Sequence, residues 1–147
     1  MKTAILDFEI ASKAYKPYTD GIEALQEKAR NHYDKIDSLQ NEAMKIAESA
    51  KSLVLDDVTK NANREKIQRL QQEAMLLDKT FKMDSDQEQK RLIMLAYDSI
   101  SDIAKDYAIN NGFNIVLNRS EVVYFEQNLD ITDKVIDIIK AKGEFKG

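Results

Sequence analysis

Cysteine is absent from the 147 residues, which excludes disulfides and thiolate metal ligands and leaves the redox compartment open. Histidine occurs once, at His32, so neither the usual zinc ligand sets nor a thiol–imidazole pair can be assembled. No glycine-rich phosphate loop is present, and the loop DDVTKNANREK lacks the central glycine and ligand rhythm of a calcium-binding EF-hand. No metal, cofactor or catalytic constellation is therefore expected, and the chain does not read as an enzyme. No apolar run approaches the roughly 18–20 residues that a membrane helix needs, so no integral membrane segment is expected. The opening MKTAILDFEIASKAY carries Asp7 and Glu9 and no small-residue cleavage site, unlike a secretory signal. Excess positive charge is lacking too. The net charge of −4 offers no electrostatic reason to bind nucleic acid or an anionic membrane.

Four glycines and one proline leave little to stop a helix, and 33% of the residues are charged against 43% apolar. TAILDFE, residues 3–9, is a short apolar run that suits a strand. Ile10–Lys16 is helical in pattern until Pro17 interrupts it. A long helix then starts near Asp20, with Glu23 completing a capping box. Its heptad places Ile22, Ala29, Ile36, Ala43 and Ala50 at one seam position and Leu25, His32, Leu39, Ile46 and Leu53 at the other. At 1.5 Å per residue such a helix is roughly 50 Å long. Periodicity lapses in LVLDDVTKNAN, which predicts the tip of a hairpin near residues 53–62.

A returning helix carries Ile67, Leu70, Ala74, Leu77 and Phe81 on one face. Only Met83 is apolar in KMDSDQEQKR, residues 82–91, and two readings stay open there. Ser85 with Glu88 could cap a new helix, giving a three-helix bundle. Alternatively one helix runs through. Phe81 and Leu92 are eleven residues apart, close to three turns, with no glycine or proline between them, which favours the continuous helix. Leu95, Ile100, Ile103 and Tyr107 extend it to Asn111-Gly112, a left-handed cap. FNIVLN and VVYFE then read as two strands around the turn NRSE, and ITDKVIDIIKAK as a short amphipathic helix ended by Gly143.

The order is strand, long helix out, long helix back, hairpin, short helix. The fold class is mainly α with a small β part. Strands from both ends of the chain meet in a small sheet whose edges, rich in Val, Ile, Phe and Tyr, need covering. Copies of the chain that join their sheets would cover them, so an oligomer is expected, with Ile5, Phe8, Ile115, Leu117, Val123 and Phe125 at the interface. The helical arms have a thin seam, since three of five residues at one position are alanine; arms hinged near Pro17 would bend.

KTAILDFEIASKAY, GFNIVLNRSEVVYF after the Asn-Gly helix end, and DITDKVIDIIKAK together resemble the Skp/OmpH family of periplasmic chaperones. The last segment is the most specific, and the coiled-coil middle adds little beyond length. The resemblance implies a jellyfish-shaped homotrimer. Residues 1–17 and 112–147 would form a β-barrel trimerisation body, and 18–111 a projecting coiled-coil hairpin arm. It also implies a holdase that works without ATP, keeping unfolded outer-membrane proteins in a cavity between the arms. The chain departs from the family's basic character: at the tip, Asp56, Asp57 and Glu65 balance Lys60, Arg64 and Lys66. A role at a lipopolysaccharide or membrane surface is therefore not carried over. The compartment is periplasmic if a signal peptide was removed before residue 1, and cytoplasmic if Met1 is the native start. A cytosolic relative with other clients, or a structural adaptor that binds one folded partner, is the alternative.

His32 at a seam position reads as a packing or register residue. Asp84, Asp86 and Glu88 read as a solvated face. Client-binding candidates are the apolar residues outside the seams: Met44, Val54, Leu55, Val58, Met75 and Met83. Methionine adapts to varied partners. The competing assignment is that they widen the hairpin core. The seam itself is assigned to Ile22, Leu25, Ile36, Leu39, Ile46, Ile67, Leu70, Leu77 and Phe81.

Overall fold

The computed structural model describes residues 1–51 and 54–143. Its elements are β1 (Thr3–Leu6), α1 (Phe8–Ala14), α2 (Lys16–Ser49), α3 (Asp57–Asn110), β2 (Ile115–Asn118) and α4 (Thr132–Ala141). Single 3₁₀ turns occupy Arg119–Glu121 and Gln127–Leu129. A long helical hairpin with a small strand part is the architecture, as the periodicity predicts. The chain divides into two compact units, one of Met1–Ala24 with Gln89–Gly147 and one of Leu25–Glu88.

In the first unit β1 and β2 pair in parallel, with Thr3 opposite Ile115 and Leu6 opposite Asn118. Parallel strands need a long crossover, and here the helical hairpin is that crossover. On its other side β1 bridges to Asp130, and the Ile131 amide donates to the Ile5 carbonyl at 2.9 Å. Asp7 ends β1 and caps α1, its carboxylate accepting from the Ile10 amide at 3.1 Å. The same residue's backbone N–H donates to the Thr132 hydroxyl, which ties the start of α4 to β1. α4 presents Val135 and Ile139, both fully buried, to a core of Leu6, Tyr15, Ile100 and Ile103. Burying one such aliphatic side chain is worth roughly 1.5–3 kcal/mol.

Several boundaries differ from the sequence reading. The first strand stops at Leu6, and Phe8 lies in a helix, because Asp7 caps more strongly than the alternation DFE extends. Pro17 does not interrupt a helix. It is the second residue of α2, in the first turn, where the amide it lacks would be unpaired anyway. The break falls instead at Tyr15, extended between α1 and α2. α3 begins at Asp57, not near Ile67; Asp56 accepts from the Thr59 amide at 2.7 Å, and Val58 is thereby helical. Leu53 lies outside the described residues. Residues 82–91 are helical, so α3 runs unbroken as favoured. Gly112, with φ of 72°, ends it, and the Phe113 amide closes back on the Ala108 carbonyl at 2.9 Å.

The β-hairpin is the clearest correction. NRSE folds as a 3₁₀ turn, and VVYFE is not a strand of the sheet. Val122 and Glu126 keep extended backbone angles, but among the described residues the sheet consists of β1 and β2 alone. Residues of high strand propensity remain extended and unpaired when no edge of their own chain reaches them.

Candidate functional site

In the unit Leu25–Glu88 the heptad orders the helices as expected. Leu25, Ala29, His32, Ile36, Ala43 and Ile46 are half-buried and Leu39 is buried, while the residues between them are exposed. On α3 the matching row is Ile67, Leu70, Ala74, Leu77 and Phe81. The row then continues through half-buried Ser85 and Glu88, a four-residue step in place of three that keeps the stripe on the same face as far as Leu92. Ile22, in the other unit, is likewise half-buried.

His32 sits inside this seam with its side chain only 8% exposed. Its ring stacks on Phe81 at 4.1 Å between centroids, and Nε2 lies 3.0 Å from Asp78 Oδ1. Lys82 Nζ holds the second Asp78 oxygen at 2.7 Å. The Lys82 ammonium and, after it, the His32 hydrogen bond hold the Asp78 carboxyl below its ordinary value, and Asp78 in turn raises Lys82. A polar cluster thus links two helices whose alanine-rich seam provides little apolar area.

The apolar residues picked from the sequence take different positions. Met44, Val54, Val58, Met75 and Met83 are exposed, whereas Leu55 is half-buried. Leu76 and Tyr33 are also exposed, and sequence reasoning missed both. Leu76 stands beside seam residue Leu77 in MLLDK, and only the helical phase separates them. The exposed side chains do not converge on one cleft. They form a dispersed apolar surface on a polar hairpin, which suits weak contacts with many partners better than one rigid ligand.

In the other unit Ile5 is 2% exposed, so its side chain belongs to the subunit's own core. Phe8 stacks on Tyr97 at 5.0 Å. Ile115 and Leu117 are partly exposed on β2, Val123 is fully exposed, and Phe125 is half-buried with the Arg119 guanidinium 5.9 Å from its ring. A groove of about 400 Å³ lies between β2 and α3, lined by Phe8, Tyr97, Ala104, Ile109 and Ile115 among others. No helix among the described residues is long and apolar enough to cross a membrane.

Comparison with known proteins adds the family. No curated protein matches the sequence. Among solved structures, an OmpH-like protein from Caulobacter crescentus CB15 superposes with a TM-score of 0.62 at 16% identity, covering 95% of this chain and 84% of that one. At that identity the likeness establishes the fold alone. Residues 2–139 match the family described as Outer membrane protein (OmpH-like). With nearly the whole chain inside that match, this chain belongs to the OmpH-like family.

Proposed function

We propose that the protein is a holdase: it binds unfolded outer-membrane proteins between helical arms of a homotrimer and keeps them from aggregating, without ATP, in the periplasm. Membership of the OmpH-like family supports a chaperone-type function. One observation carries the finer reading. The hairpin leaves Met44, Val54, Val58, Met75, Leu76 and Met83 in solvent, apolar and in part shape-adaptable contacts spread along its length. Each contact is weak, and several arms acting on one client multiply them.

The test is dilution of a urea-unfolded β-barrel membrane protein into buffer with and without a threefold excess of the chain. Suppressed light scattering, unchanged by added ATP, is the expected result. Undiminished aggregation removes the reading. Stoichiometric capture of one folded protein, with no effect on aggregation, would favour the adaptor instead.

A further inference from the structure

Within the unit Leu25–Glu88 one recess between the two helices is lined by Ala43 and Ala74 together with the larger Leu39 and Leu70. An alanine methyl at each position leaves space that a leucine would fill, and a recess of about 310 Å³ opens there. Met75, 73% exposed, forms a wall whose side chain adapts in shape. Gln40 and Gln71 stand at the rim, and among the described residues neither amide is engaged in a hydrogen bond. No charged side chain lines the recess.

A primary amide both donates and accepts, which is also what a peptide backbone requires, and it does so without reading sequence. The volume lies at the lower end of the roughly 300–1,000 Å³ of ligand pockets, suited to one side chain rather than to a folded partner's surface. We propose that this recess binds an extended, unfolded polypeptide segment, with one aliphatic side chain seated between Ala43 and Ala74 and the segment's backbone hydrogen-bonded by Gln40 and Gln71. This deepens the holdase reading, on which it rests, by assigning a client contact to a defined place on the arm. An extended segment fits because its alternate side chains point away from the recess while its backbone stays within reach of both amides.

The experiment uses the full chain and a fluorescein-labelled, uncharged ten-residue peptide of alternating leucine and serine, read by fluorescence anisotropy. Ala74→Leu fills the recess from inside; Gln40→Ala with Gln71→Ala strips the rim at two exposed positions. Each is expected to weaken peptide binding about tenfold, the loss of one seated side chain or its polar anchors. The Tm should stay level or rise for Ala74→Leu. Wild-type affinity in a folded Ala74→Leu variant overturns the proposal; should that variant unfold, the double glutamine variant decides in the same way. If a second arm is the occupant, the wild-type mass rises with concentration and Ala74→Leu abolishes the rise, which also overturns it. Failure of the two readings is distinguishable. Aggregation suppression without peptide binding removes the recess alone, whereas peptide binding without suppression keeps the recess and removes the holdase.

Discussion

Two residues show how closely the helices are fitted. A β-carbon at Gly21 would lie 2.3 Å from a methyl of Leu92, which is 1% exposed and has nowhere to retreat. Gly21→Ala gains about 1 kcal/mol of helix propensity but loses about 1–3 kcal/mol to overpacking. The net expectation is a lower urea midpoint, recovered when Leu92→Val is added; additivity of the two changes would contradict the contact. Asp78 provides a pH test. Its carboxyl titrates below 3.8 because the Lys82 ammonium, then His32, stabilise the anion. The unfolded chain therefore takes up this proton at higher pH than the folded one. The resulting stability is present above 3.8 and is lost as pH falls through the depressed folded value. Asp78→Asn should lower the Tm at pH 7, and the gap from wild type should narrow below pH 3.8. A constant gap across that range would show that the carboxylate's charge is not what stabilises the pair.

Elements were legible wherever one chain suffices to satisfy them. The α2 seam from Leu25 to Ile46 follows the heptad residue by residue, because burial against α3 depends only on helical period. The unbroken α3 was legible for the same reason, since the phase between Phe81 and Leu92 survives the polar section. Caps were harder: Asp7 and Asp56 each begin a helix where the apolar pattern had not yet started. Parallel pairing of β1 with β2 was not legible, because strand propensity carries no direction; the crossover length does, and it argues against a simple hairpin. The dispersed apolar residues of the arm were found as types, but their exposure depends on phase, which is how Leu76 escaped. α4 tests how elements hold together. Ile139 is fully buried against the sheet's helical cover, so Ile139→Ala should cost about 2–5 kcal/mol, read as a shifted urea midpoint. Hydrogen exchange should quicken at Ile131 and the amides of α4, which Thr132 and Ile5 now anchor.

At the scale of the whole molecule, β2 poses the same problem in the fold as in the sequence. β1 has partners on both sides, whereas β2 has β1 alone among the described residues. Beside it lies the apolar groove, and the segment from Val122 to Glu126, extended at both ends, leaves Val123 and Tyr124 in solvent. Among the described residues neither this edge of β2 nor the segment 122–126 is paired in a sheet, and each can be sealed by the other's counterpart in a neighbouring copy. Such a contact is head-to-tail, and a head-to-tail contact closes into a ring or grows without limit. With the number that the family resemblance implies, we propose a closed ring of three, with a mass three times 16.9 kDa by light scattering after gel filtration. Val123→Asp puts a charge where an apolar side chain would meet the neighbour's sheet, and since Val123 is fully exposed in its own chain, folding should be spared. That variant should elute as a folded monomer with wild-type helical content. If it keeps the trimer mass, residues 122–126 do not form the junction; if the wild type is itself monomeric, β2 is sealed by other means and the proposed enclosure between arms has no frame.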